Sequence, residues 1–179
     1  MKGIVFTEFL EMVEEKFGLE MVDDIIEKSD LASEGSYTAV GVYDFLEMQQ
    51  LIVHLSAETG IPVQKLIYEY GRYFFDVLAQ GHANIFARYA SPIELLASVQ
   101  DHIHVEVQKL YPGAELPTFE ISKKDEKLLE MTYYSKNSLY MFAMALMEKT
   151  FEFFKKTPVI DYNLVEADGS QVKFIISEQ

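Results

Sequence analysis

The apolar residues of this 179-residue chain change their spacing near Pro117. Before that proline they recur every three to four positions, which is the period of an amphipathic helix. After it, short alternating segments predict strands, and one long apolar stretch separates two predicted strand pairs. Helices followed by a few strands indicate an α+β fold, because a parallel sheet would need strands and helices in alternation.

The predicted helices are bounded by residues that commonly begin or end helices. Gly18 and Gly60 close two of them, and Ser91-Pro92 supplies an N-cap and first turn for another. Residues 29–37 are predicted to form a loop. The predicted helical segments are 4–17, 21–26, 44–60, 62–81 and 93–110.

The second part of the chain predicts two hairpins. Segments 119–121 and 128–134 are joined by a charged turn at 123–126, and segments 159–166 and 172–176 flank a turn at 167–170. A long helix over 139–154 lies between the hairpins. We therefore expect a single domain over 1–179, with a helical N-terminal lobe followed by a small antiparallel sheet that carries one inserted helix.

Charge and composition exclude several kinds of function. The net charge of −14 disfavours binding to nucleic acid or to an anionic membrane surface. The chain has no cysteine, and its longest apolar run, 139–147, is far shorter than a bilayer requires. A cytoplasmic protein is expected. No nucleophile elbow, phosphate-binding loop or zinc-type His/Glu pair is present, so we do not expect an enzyme. The 13 Phe, 11 Tyr and 8 Met are bulky enough to form a core or to line an apolar cavity.

Two of the four histidines, His102 and His104, are candidate ligands. On a strand they would share a face, whereas on a helix they lie about 200° apart and at most one faces the core. The apolar period favours a helix, but both histidines flank its apolar stripe at nearly equal angles. Periodicity therefore leaves open which one faces inward. His54 and His82 are expected to be structural or surface residues.

A longer string that starts at His104 is more specific. It runs His-Val-Glu-Val-Gln-Lys-Leu-Tyr-Pro-Gly-Ala-Glu-Leu-Pro-Thr-Phe over 104–119, and Tyr-Tyr-Ser-Lys-Asn follows over 133–137. With Met-Lys-Gly-Ile-Val-Phe at 1–6 and Tyr-Gly-Arg at 70–72, this pattern resembles the haem nitric oxide/oxygen binding (H-NOX) family. That family includes stand-alone bacterial sensors and the haem domain of soluble guanylate cyclase. The resemblance extends over essentially the whole chain.

The resemblance implies that haem b lies between the helical lobe and the sheet. His104 would be the iron ligand, and Pro117 would press on the haem plane. The family's Tyr-x-Ser-x-Arg motif, which holds the haem propionates, falls on Tyr133, Ser135 and Asn137, so its arginine is missing here. If this segment is extended, Lys136 points to the opposite face and should not replace that arginine without a local twist. Arg72 is then a candidate for compensating the loss.

The resemblance also implies which residues surround the gas-binding side. Positions that are polar in oxygen-binding members are occupied here by Phe9, Phe74 and Phe142, which resembles the branch that senses nitric oxide and excludes oxygen. Carbon monoxide is expected to bind as well, because neither gas needs a hydrogen-bond donor. Further wall residues are expected at Val5, Leu78 and Leu146.

Signalling is expected to pass to another protein. The sequence ends at Gln179, which leaves no room for an output domain. Stand-alone members of the family imply a partner such as a histidine kinase or a cyclic-di-GMP enzyme, which would respond when nitric oxide releases His104. The alternative is a haem-free domain of the same fold that binds an apolar ligand or acts only through protein contacts.

Overall fold

The computed structural model describes residues 1–179, and its α+β architecture confirms the expected fold class. Seven α-helices and one π-helical segment precede the first of four strands, and an eighth α-helix lies between the second and third strands. The helices are α1 (Gly3–Phe17), α2 (Leu19–Lys28), α3 (Phe45–Thr59), α4 (Val63–Gly81), α5 (Ala83–Phe86), α6 (Pro92–Ala97), α7 (His104–Leu110) and α8 (Tyr140–Phe153), and the π-helical segment is Val99–Ile103.

Local chemistry explains several of the helix boundaries. The Asp44 carboxylate accepts a hydrogen bond from the Leu46 amide at 2.9 Å and caps α3, and Gly60 ends that helix with a left-handed φ of 71°. The Ser91 hydroxyl caps α6 by accepting from the Glu94 amide at 3.2 Å. The helix end at Gly60 and the N-cap at Ser91 are those that the sequence predicted.

The strands β1 (Thr118–Lys124), β2 (Leu128–Tyr134), β3 (Pro158–Leu164) and β4 (Gln171–Glu178) form one antiparallel sheet. Its order is β1-β2-β4-β3, so α8 crosses from β2 to the far edge and the chain returns to the centre. The predicted turn at 123–126 starts too early, because β1 continues to Lys124 after an irregularity between Ile121 and Lys123.

The single predicted helix over 93–110 is wrong. It is divided into α6, the π-helical segment and α7, and the widened turn is closed by a 3.2 Å bond from the Ile103 amide to the Ser98 carbonyl. The Gln100 side chain in this segment accepts from the Phe119 amide at 3.0 Å, which connects it to β1. The short helix α5 was also not predicted.

The apolar core has two parts. One lies among α1 to α4, and the other lies between the sheet, α6 and α8. Helices α4 and α8 cross between them, and at Gly71 they approach so closely that a Cβ would stand 2.8 Å from the Phe142 carbonyl oxygen. None of the helices is both long enough and apolar enough to cross a membrane.

Candidate functional site

An apolar cavity of about 270 Å³ lies where the two parts of the core meet. Residues from α1, α4, α6, α7, α8 and the first two strands line it, and 27 of the 34 lining residues are hydrophobic. Enclosure by apolar side chains with a few polar groups is typical of cofactor and ligand sites.

His104, the first residue of α7, is the histidine that lines this cavity. Its ring lies against the ring of Phe119, with 5.9 Å between the centroids. Burial lowers the pKa of His104 from 6.5 to about 4, so the imidazole is neutral at pH 7. A neutral imidazole keeps a lone pair free to bind a metal.

The surroundings of His104 fit haem better than they fit a bare metal ion. No group of three or more histidine, cysteine or carboxylate side chains could hold a metal anywhere in the protein. A metal at His104 would therefore need most of its ligands from elsewhere, and a porphyrin supplies four nitrogens. A single axial histidine is a common arrangement in haem proteins.

His102 does not line the cavity. Its Nε2 accepts from the Arg88 guanidinium at 3.1 Å, and its Nδ1 is hydrogen-bonded to the Tyr89 hydroxyl. Since arginine can only donate, this pairing leaves no free ring nitrogen on His102. The tertiary structure thus separates two histidines that periodicity did not. His54 and His82 also lie outside the cavity lining.

The polar part of the cavity lining contains Tyr133, Ser135 and Asn137. Strand β2 ends at Tyr134, and a 3.2 Å bond from the Ser138 amide to the Ser135 carbonyl closes a turn. The expectation of an extended segment through Asn137 is therefore wrong. Pro117 lines the same cavity.

Neither cation considered for the missing arginine lines the cavity. The Arg72 guanidinium lies instead 2.8 Å from Glu152 and 3.7 Å from Glu148, between α4 and α8. Lys136 pairs instead with Glu115, which is at the cavity margin.

The apolar wall contains Val5, Phe74, Leu78, Phe142 and Leu146. The rings of Phe74 and Phe142 lie 5.6 Å apart. This wall carries no charged side chain.

Phe9, which was expected in this wall, is fully buried outside the cavity lining, and its ring lies edge-on to that of Tyr70 with 5.2 Å between the centroids. The sequence reasoning missed Tyr70, which does line the cavity. The Tyr70 hydroxyl donates to the Val5 carbonyl at 2.6 Å, and burial raises its pKa well above its usual value. Its proton is therefore already engaged. Its place in the apolar stripe of α4 was the only available signal.

These features define an α+β fold with one histidine in an apolar cavity between two parts of the core, and comparisons with known proteins identify its family. A family model described as Haem-NO-binding matches residues 2–162. The chain therefore belongs to the H-NOX family, a family of haem-based gas sensors.

Solved structures of the family superimpose closely on this chain. The Fe(II) unliganded H-NOX protein from K. algicida is 49% identical, with a TM-score of 0.98, over 100% of this chain and 97% of that one. The IWP-051-bound H-NOX from Shewanella woodyi in the Fe(II)CO state is 37% identical, with a TM-score of 0.84, over 100% and 95%. An S. oneidensis H-NOX in the Fe(II)NO state is 23% identical, with a TM-score of 0.90 over 100% and 99%, and shows the same fold.

Proposed function

We propose that this protein is a cytoplasmic sensor, and not an enzyme, that holds haem b between its two lobes through His104 and responds to nitric oxide. Carbon monoxide is a second ligand, and oxygen is excluded. The observation that carries the proposal is a neutral, partly buried imidazole that lines a cavity whose other wall is apolar.

Each part of the cavity supports one requirement of the cofactor. Bound haem supplies a ferrous iron that accepts one axial protein ligand and leaves its sixth position for a diatomic gas. His104 is suited to be that ligand. Tyr133, Ser135 and Asn137 offer hydroxyl and amide donors for carboxylates, and Pro117 lines the same cavity as Phe119 and His104.

The wall around Phe74 and Phe142 supports the proposed selectivity. Haem proteins that retain oxygen rely on hydrogen-bond donors in the pocket, whereas nitric oxide and carbon monoxide bind without them. Near this wall, the Tyr70 hydroxyl donates to the Val5 carbonyl at 2.6 Å and the Thr150 hydroxyl donates to the Leu146 carbonyl at 2.8 Å, so both protons are already engaged. Because no donor in this wall is free, we expect the reduced protein in solution not to bind oxygen stably.

The surroundings of α7 support a route for the signal. His104 follows directly on the π-helical segment, and Gln100 in that segment is bonded to β1 through Phe119. Release of His104 on nitric oxide binding would free α7 and let Pro117 and the sheet move relative to the helical lobe. A separate protein, such as a histidine kinase or a cyclic-di-GMP enzyme, would read this shift.

Absorption spectroscopy tests the proposal. The reduced, haem-loaded protein should show a Soret band that is lost or shifted in His104→Ala and retained in His102→Ala, the matched control on the same helical region. A band unaffected by His104→Ala would refute the ligand assignment. No band in the unaltered protein would favour the haem-free alternative, which Asn137 at the motif's arginine position supports.

A further inference from the structure

The cavity continues into a polar recess at the margin of the protein. The recess shares Glu115, Ser135 and Asn137 with the cavity, and it adds Gln108 and Lys136. Apolar side chains dominate the cavity, whereas hydroxyl, amide and charged groups dominate the recess. An amphipathic molecule with a flat apolar body and anionic substituents matches this division.

The turn after β2 is what brings Lys136 to the recess. The Ser135 amide donates to the Ser170 carbonyl at 2.9 Å, which ties the end of β2 to the start of β4. The chain then turns, with a left-handed φ of 51° at Ser138. In this turn Ser135, Lys136 and Asn137 all border the recess, instead of alternating between two faces as extended residues would.

Lys136 is the only cationic side chain of the recess. Its Nζ lies 3.1 Å from the Glu115 carboxylate, and the two side chains are 72% and 53% exposed. An ion pair this exposed is weak and exchanges readily. The one cationic side chain that lines the cavity itself, Lys2, has its Nζ 3.5 Å from the Val40 carbonyl in the N-terminal lobe.

We propose that Lys136 is the cation that retains the haem carboxylates, and that it exchanges Glu115 for them. The inference rests on the proposed haem site. Haem b carries two carboxylates, and the protein itself carries a net charge of −14, so neutral donors alone would leave them poorly compensated. A charge-assisted hydrogen bond is about twice as strong as a neutral one. Glu115 opposes binding, because it competes for Lys136 and repels the carboxylates.

Haem transfer to apomyoglobin tests this assignment, with haem b and haem dimethyl ester as paired probes. Lys136→Gln should speed loss of haem b about fivefold, Lys136→Arg should restore retention, and Glu115→Gln should slow loss about threefold. Esterification removes the anionic charges, so all variants should lose the ester at the same rate. Lys173→Gln is the matched control, because Lys173 pairs with Glu130 at 2.8 Å on the same sheet. It should leave both rates unchanged.

The outcomes separate this inference from the proposed function. A His104-dependent Soret band, combined with equal haem loss from Lys136→Gln and Lys173→Gln, overturns the role of Lys136 and leaves the sensor intact. An equal acceleration for haem b and the ester also overturns it, since the effect would then come from general loosening of the fold. If the unaltered protein binds no haem, the proposed function and this inference both fail.

Discussion

Gly71→Ala is predicted to destabilise the protein by forcing α4 away from α8. The added Cβ would lie 2.8 Å from the Phe142 carbonyl oxygen, 2.8 Å from the Ala145 Cβ and 3.1 Å from the Phe142 Cα. Two of these atoms belong to the backbone of α8, so no side-chain rotation relieves the contacts. One helix has to shift by several tenths of an ångström.

The size of the effect follows from two opposing contributions. Overpacking of a tight contact costs about 1–3 kcal/mol, and alanine recovers about 1 kcal/mol of helix propensity over glycine. The net loss expected for Gly71→Ala is about 1 kcal/mol. Gly81→Ala is the control, because it also lies in α4 but its Cβ would meet nothing within 4 Å. It should gain about 0.5–1 kcal/mol, which separates the two variants by about 2 kcal/mol.

Urea unfolding of both variants, in the same haem-loading state, measures this difference. With an m-value of about 2 kcal/mol/M, the two midpoints should differ by about 1 M. The melting temperatures should differ by roughly 4–8 °C. Equal midpoints for Gly71→Ala and Gly81→Ala would show that a methyl group at position 71 fits between α4 and α8 without a shift of either helix. The reasoning from close packing would then be wrong.

Three further predictions concern the cavity. Phe142→Tyr adds a donor to the apolar wall and should allow a stable new Soret spectrum in air, which the unaltered reduced protein should not show; the same spectrum in both would contradict the proposed selectivity. Asn137→Arg should slow haem transfer to apomyoglobin about fivefold, and unchanged rates would remove position 137 from carboxylate binding. In the haem-free protein, the pKa of His104 falls from 6.5 to about 4 on folding, so the unfolded chain binds the extra proton and stability declines as the pH falls from 6.5 towards 4. Urea unfolding should show a loss of about 2 kcal/mol between pH 7 and pH 5 that His104→Leu lacks, and an equal loss in that variant would assign the effect to other groups.

Much of the fold follows from local sequence signals. The cap at Asp44, the left-handed Gly60 and the Ser91-Pro92 pair act within a few residues of themselves, so they set helix ends wherever the chain lies. Buried and less buried side chains alternate along β2 and β4, as the side-chain period of a strand requires. The π-helical segment was not predictable in this way, because its bond to β1 through Gln100 depends on a residue 19 positions away.

In the site, too, some residues could be predicted from the sequence and others depended on tertiary contacts. The sequence placed Val5, Phe74, Leu78, Phe142 and Leu146 in one wall, and they do line one cavity. The sequence could not show whether Phe9 or Tyr70 lines the cavity, because both belong to apolar helix faces. Only the packing of α1 against α4 decides which of the two rings lines it.

The sequence by itself determined most of the order of helices and strands, the family, and a short set of candidate ligands, because periodicity, capping and motif spacing are local properties of the chain. Only the tertiary structure decided that His104 faces the cavity while His102 faces Arg88, and that Lys136 borders the recess with Asn137. The helical positions of the two histidines did not distinguish them, because both flank the apolar stripe at nearly equal angles. The backbone at 135–137, which was assumed to be extended, forms a turn that is hydrogen-bonded to Ser170. His104 is partly buried and its imidazole neutral because the ring packs against Phe119 of β1, and this contact cannot be read from the residues next to His104.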